Sequence, residues 1–332
     1  MNLSDSDILS AAERALSLWP ISAREIRLAS RSENVVLKVT AQDDRCYALR
    51  IHRPGYNARD ALNSEVVWEQ ALNQAGISTP AHIATREGAY YAGLSLAEEH
   101  HDVGIIEWFP GELLSDRIMN ADADEAESYF ADMGALLGRL HEHTAAWQPP
   151  ETFTRRTWDA DGLIGLDPLW GQFWASQALT PAQKKLCMEA RESLHAELSQ
   201  FSKDRSSYGL IHADLHPRNV LINGAIGRHT LSAIDFDDCG YSFYAYDIAV
   251  ALGEFQDHPQ ADRLETALLA GYASVRKLPD LARQLRALVI VRQLITIGWM
   301  TARPEVVPRA HLISRLPPIL SAARAFLSAE PG

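Results

Sequence analysis

The sequence predicts an α+β protein of two lobes: a small antiparallel β-sheet with one helix, then a larger, mainly helical part. Three observations predict it. Short strand-like runs crowd residues 1–109. Helical periodicity dominates beyond Gly111. The 332 residues also exceed what one hydrophobic core usually organises, roughly 250–300, so the chain should divide.

The elements follow in order. Residues 6–18 form a short amphipathic helix, with Ile8, Leu9, Ala12, Ala15 and Leu16 on one face. The runs 35–40 (VVLKVT) and 46–51 (CYALRI) read as strands joined by the turn Gln42-Asp43-Asp44. A helix over 58–75 follows Pro54-Gly55 and stops at Gly76. Strands are expected near 82–85, 89–93 and 103–109, and Pro110-Gly111 then breaks the chain. In the second part, 122–143 carries Tyr129, Phe130, Met133, Leu136, Leu137 and Leu140 at helical spacing, with acids in its first turn where the helix dipole favours them. Thr180 caps a helix over 181–198 that begins with proline. Short strands near 219–222 and 231–235 flank Asn223-Gly224. Helices resume at 245–255, 261–276, 280–302 and 307–328. The predicted boundary separates 1–109 from 110–332, with a hinge over 106–110.

Composition narrows the function. The net charge of −12 offers no basic field for nucleic acid or an anionic membrane, and mildly favours a cationic partner. Cys46, Cys187 and Cys239 are far apart and form no CxxC pair, so neither a disulfide framework nor a zinc ribbon is indicated. The start, MNLSDSDILSAAERAL, lacks the basic-then-apolar pattern of a signal peptide. The most apolar late run, ALVIVRQLITIGWM, is interrupted by Arg292 and Gln293 and is too polar to span a bilayer. A cytoplasmic protein is expected.

Chemistry concentrates in HADLHPRNVLING, residues 212–224. Asp214 and Asn219 lie five residues apart, and Asp235 ends the strand that returns across the hairpin. An amide oxygen and a carboxylate brought together suit magnesium, which prefers hard oxygens and leaves positions for water and phosphate. Asp214 is then free to orient or accept a hydroxyl proton. A two-histidine metal site at His212 and His216 would need further ligands. The nearby pair His141-Glu-His143 does not supply them; it sits at a helix end where histidines complement the dipole.

HADLHPRNVLI followed by SAIDFDDCGYSFYAYDIA resembles the signature of the aminoglycoside phosphotransferase and choline kinase-like family, from about Ser30 to Trp299. The resemblance implies a bilobal, protein-kinase-like fold and an ATP- and magnesium-dependent phosphotransferase. It makes Asp214 the catalytic aspartate and Asn219 and Asp235 the magnesium ligands, with the metal segment spanning 234–238. His212 and Asp247 support the loop, and His216 is a candidate for facing the transferred phosphate. In the small lobe Ala48 leaves room over adenine and Arg50, where lysine is usual, reaches the phosphates. Lys38 is a second candidate for that cation. Glu65 is the helix carboxylate, with Glu69 on the same face. No GxGxxG loop is present; the turn Ser30-Arg31-Ser32-Glu33-Asn34 takes its place, and Ser32 could touch phosphate. Backbone groups of Glu107 and Phe109 would hold adenine, with Ile106 behind it.

For the acceptor, the segment 147–174 is rich in tryptophan and contains Asp159, and Asp237, Asp238, Glu254 and Asp257 follow the metal segment. An acidic pocket favours a small hydroxyl compound that also bears an amine, such as an aminoglycoside, choline or homoserine. The tryptophans are equally accounted for by an apolar cluster beneath a long loop. Two other readings stay open: a protein serine/threonine kinase, and a nucleotide-binding protein without transfer activity.

Overall fold

The computed structural model describes residues 4–32, 34–253, 255 and 258–329. The chain forms two compact units, Met1–Glu112 with Pro149–Arg155 and Leu221–Asp237, and Leu113–Gln148 with Arg156–Val220 and Asp238–Gly332. The first unit thus takes in two late segments that a division at residue 109 leaves out. Both carry residues that surround Arg50.

The first unit opens with α1 (Asp5–Leu16), whose Ser4 cap and Asp7 form a reciprocal capping box. β1 (Ala23–Arg31), β2 (Val35–Ala41), β3 (Cys46–Ile51), α2 (Arg59–Gln74), β4 (Tyr91–Leu96) and β5 (Glu99–Glu107) follow. The strands form an antiparallel sheet in the order β1-β2-β3-β5-β4. In β3 the pleat sends alternate side chains to opposite faces. Tyr47, Leu49 and Ile51 join Ile8, Trp19 and Ile105 in a core that includes α1. Ala48 and Arg50, each 7% exposed, occupy the other face. Leu62 and Val66 of α2 pack with Tyr91 of β4.

Three expectations change here. β1 has no counterpart in the sequence reading, because AREIRLASR is charged and largely exposed at a sheet edge. The strand expected at 82–85 reduces to a bridge between His82 and Ile106, although Ile83 and Ala81 still bond to the backbone of β5. The run expected at 89–93 begins later, as β4.

β6 (Glu112–Leu113), α3 (Leu114–Met119) and α4 (Ala123–Ala146) come next, then β7 (Arg156–Trp158), α5 (Ala160–Ile164), α6 (Pro181–Leu198) and β8 (Tyr208–Ile211). β9 (Val220–Asn223), β10 (Thr230–Ala233) and β11 (Gly240–Phe243) precede α7 (Tyr244–Gly253), α8 (Ala261–Val275), α9 (Leu281–Thr301) and α10 (Arg309–Ser328). The expected Thr180 cap forms, in a box with Gln183 at α6, and Asp122 makes a similar box with Glu125 at α4. β10-β9-β6 and β7-β11-β8 make two small sheets. α4 and α8 approach so closely that a Cβ on Gly134 would lie 2.0 Å from the Leu268 carbonyl oxygen. Cys46, Cys187 and Cys239 are free thiols. Among the described residues no helix is long and apolar enough to cross a membrane.

Candidate active site

The second unit holds the loop expected to be catalytic. β8 ends at Ile211 and delivers a fully buried His212. Ala213 then takes a left-handed backbone, φ 67°, which turns Asp214 out of the strand direction. Asp247, in the first turn of α7 and fully buried, explains how that turn is held. Its Oδ2 accepts from the His212 backbone N–H at 3.0 Å and from His141 Nε2 at 3.1 Å, and its Oδ1 accepts from the Ala213 N–H at 2.6 Å. His141 is therefore a buried brace, also 3.0 Å from the Tyr272 hydroxyl, and not the helix-end dipole partner expected from sequence.

The Asp214 carboxylate is gripped from several sides. Oδ1 accepts from Arg292 Nη2 at 2.7 Å. Oδ2 accepts from Asn219 Nδ2 at 3.0 Å and lies 3.4 Å from His216 Nε2. Burial pushes this carboxyl up, but the His216 and Arg292 charges prevail and hold it well below the ordinary carboxylate range. It is a weak base at rest, suited to orienting a hydroxyl. Asn219 also donates Nδ2 to the Asp214 carbonyl, at 2.9 Å. Both donations fix the amide's orientation, so its oxygen is the atom offered to a ligand. His212 Nδ1 accepts from the Asp214 N–H at 3.3 Å, and among the described residues neither His212 nor His216 belongs to a three-ligand cluster.

The first unit gathers the phosphate-side candidates around Arg50. Its Nη2 lies 2.7 Å from Asp235 Oδ1 and 3.1 Å from Asp237 Oδ1. Glu65 stands farther off, 3.9 Å from Arg50 Nη1 and 3.5 Å from Arg155 Nη1. Asp235 has φ 67°, a left-handed conformation that aspartate tolerates better than most residues. Asp237, grouped by sequence with the acceptor, lies within this cluster and accepts from Asn34 Nδ2. Burial raises the Asp237 carboxyl, but Arg50 and its neighbours bring it down to about 2. Arg155 ties the group together, donating to the carbonyls of Ala61, Phe236 and Asp237. Lys38 is elsewhere, 4.5 Å from the Trp108 ring centroid.

Ala48 pairs with Ile106 across β3 and β5. The Glu107 N–H donates to the Ala81 carbonyl at 2.9 Å, so this residue offers a ligand only its own carbonyl. Ser32 is exposed, and its N–H closes a turn onto the Asn34 carbonyl at 3.1 Å.

The acceptor-side acids already have partners. Asp159 caps α5 through the Gly162 N–H and lies 2.7 Å from Lys203 Nζ. Asp238 lies 3.4 Å from Arg156, and its carbonyl accepts from Trp158 Nε1. Glu254 and Asp257 fall outside the described residues. Trp158 and Trp170 are buried and in edge contact at 5.6 Å, as an apolar cluster would place them, and Arg292 lies 4.7 Å from the Trp170 centroid.

His52, 5% exposed, adds a pH dependence. It faces Asp237 at 3.7 Å, with Arg50, Asp102, His82 and Tyr91 around it. Burial, helped by Arg50 and opposed by Asp237, pushes its imidazole down to about 4. The unfolded chain takes up this proton below about pH 6.5, whereas the folded chain does so only near pH 4. Stability contributed by His52 is therefore full above pH 6.5 and lost as pH falls towards 4, by roughly 3 kcal/mol. Urea unfolding at pH 7 and pH 5 should show the loss, and His52→Gln should flatten it. Equal slopes in the two proteins would refute the assignment.

The sequence matches the profile of the phosphotransferase enzyme family over residues 25–283. The chain belongs to that family. Amicoumacin kinase of Bacillus subtilis (strain 168) is 25% identical over 240 residues, covering 72% of this chain and 65% of that protein. Homoserine kinase of Sinorhizobium fredii (strain NBRC 101917 / NGR234) is 29% identical over 238 residues, covering 70% and 64%. The chain thus spans just under two thirds of the length of these curated relatives. A microcompartment-associated aminopropanol kinase superposes with a TM-score of 0.84 at 28% identity, covering 96% of this chain and 98% of that one. The chain accordingly has the bilobal, protein-kinase-like α+β fold. Four residues beside the candidates were given no site role from the sequence: Asn34, Arg155, His141 and Arg292. Asn34 stood out only as part of the turn after β1, His141 as one of a histidine pair and Arg292 as a charge interrupting an apolar helix; Arg155 left no signal.

Proposed function

We propose that this phosphotransferase moves the γ-phosphate of ATP, bound with magnesium, to a hydroxyl of a small amine-bearing molecule. The observation that carries the reading is the Asp214 carboxylate, held between Arg292, Asn219 and His216 on a loop braced by Asp247. The relatives support this acceptor class: homoserine and aminopropanol, named for two of them, each carry both a hydroxyl and an amine. The acids near the acceptor side do not argue for an amine by themselves, since Asp159 and Asp238 already face Lys203 and Arg156.

In this reading Asp214 aligns the acceptor hydroxyl and takes its proton late, as the bond to phosphorus forms. Arg50 offsets charge on the phosphates, helped by the position of Glu65. The Asn219 amide oxygen and the Asp235 carboxylate are the groups that would hold magnesium, which would supply neutralisation of charge on the phosphates. Ala48 and Ile106 bound the adenine, and the Glu107 carbonyl and the Phe109 N–H hydrogen-bond it. Ser32 contacts phosphate from the turn after β1.

An ADP-release screen over amino alcohols, aminoglycosides, other amines and peptides tests the proposal. Turnover with a small amino alcohol and none with peptides is expected. Peptide-dependent turnover would make the protein a protein kinase; nucleotide binding without any turnover would make it a binding protein. Arg50→Met is expected to lower kcat by roughly 10²–10³-fold, as for other lost charge-stabilising donors. Arg50→Lys should recover most of that loss, because the guanidinium fork is not essential to a point-charge role. An unchanged kcat in Arg50→Met would remove Arg50 from the phosphate site.

A further inference from the structure

In the first unit Glu65, which supports Arg50 in that reading, shares its surroundings with two chemically capable side chains that have no part in the reaction, Glu69 and His82. Glu65 and Glu69, one turn apart on α2, lie on the same helix face and are 0% and 4% exposed. His82, with a side chain 2% exposed, comes from the segment beside β5 and reaches Glu69 at 3.3 Å. One ligand atom from each of the three lies within 4.8 Å of the others. We propose that Glu65, Glu69 and His82 form a cation site that binds a divalent transition-metal ion such as zinc.

The polar atoms here are poorly satisfied. Neither Glu65 oxygen has a hydrogen-bond partner, nor does either ring nitrogen of His82 or the buried Tyr91 hydroxyl. A fully buried carboxylate without a donor is expensive, and such an atom calls for an ion or a water. The Tyr91 ring packs 6.1 Å from that of His82, so its hydroxyl shares these surroundings. A cation would relieve the crowding of the two buried carboxylates more than a water would. Burial, and the charges of Asp237 and Glu69, push the Glu65 carboxyl well up, while Arg155 and Arg50 at 3.5 and 3.9 Å only partly oppose this. A water would leave that repulsion in place; a dication removes it.

The donor set fixes the kind of ion. Two carboxylates and one imidazole suit zinc, whose bonds to such ligands are about 2.0–2.2 Å long. Magnesium and calcium prefer oxygen alone. Modest side-chain rotation would contract the three atoms onto one ion, with water or the Tyr91 hydroxyl as a fourth ligand. The ion would pin α2 to the segment running beside β5, and so set the position of Glu65.

The full chain, stripped with a chelator, re-equilibrated with zinc and desalted, should retain about one zinc per chain by plasma mass spectrometry. Cobalt in its place should give a visible absorption band. His82→Ala and Glu69→Gln should each lose the retained zinc, with affinity falling by more than the roughly 10–100-fold typical of an outer-shell partner. Circular dichroism confirms that the variants fold, and the wild-type measurement stands without them. A metal-free wild type means that a proton or a water fills the site, and overturns the proposal. So does zinc that survives both substitutions and disappears in Asp235→Asn. None of these readouts requires turnover, so the outcome is separate from that of the phosphotransfer reading.

Discussion

Asp214→Asn is expected to lower acceptor-dependent kcat by roughly 10²–10⁴-fold, the usual worth of a positioned proton acceptor, while nucleotide affinity changes little. The carboxylate accepts from two donors on different elements, Arg292 and Asn219. An amide presents an acceptor to only one of them and turns its own N–H₂ against the other. The hydroxyl-orienting oxygen is then either lost or rotated out of line. Because His216 and Arg292 keep the native carboxyl ionised far below neutral pH, the variant's deficit should be the same across the pH range in which the protein stays folded. Single-turnover rates and nucleotide titration separate the two effects. Full acceptor-dependent turnover in Asp214→Asn would end the assignment.

Asp247→Ala should be the most destabilising of the site substitutions. It leaves two backbone N–H groups and the His141 imidazole without their acceptor in a fully buried position. Burial, which outweighs the Asp247 hydrogen bond, holds His141 below its ordinary pKa, so a neutral ring loses its partner. Each buried donor left without an acceptor costs roughly 1–3 kcal/mol, so the three together cost on the order of 5 kcal/mol. In a domain of this size that corresponds to a fall in Tm on the order of 10 °C. Calorimetry reads the fall, and hydrogen exchange at 212 and 213 should quicken in parallel. A Tm within about 2 °C of wild type would show that water replaces the carboxylate.

Much of the architecture was legible because its signals are local. Thr180 and Pro181 announce the start of α6, and the structure places the helix at Pro181–Leu198. CYALRI reads as a strand from its own alternation and is one. The failures share a cause. β1 is an edge strand, stabilised by pairing with β2 and not by an apolar face of its own. Residues 82–85 have the composition of a strand, but only His82 makes a bridge. His141 ends an apolar helical run in the sequence, yet its surroundings are supplied by Tyr244, Asp247 and Tyr272.

By itself the sequence determined the longer helices and several of the strands, the family resemblance, and the residue types crowded into 212–219 and 234–238. Periodicity, capping and turn chemistry act over a few residues, so they can be read without a fold. Only the tertiary structure decided the partners: Arg50 with Asp235 across 185 positions, His141 with Asp247 across 106, and Arg292 with Asp214 across 78. Charges pair through space, and distance along the chain says nothing about which of them will meet once water is excluded.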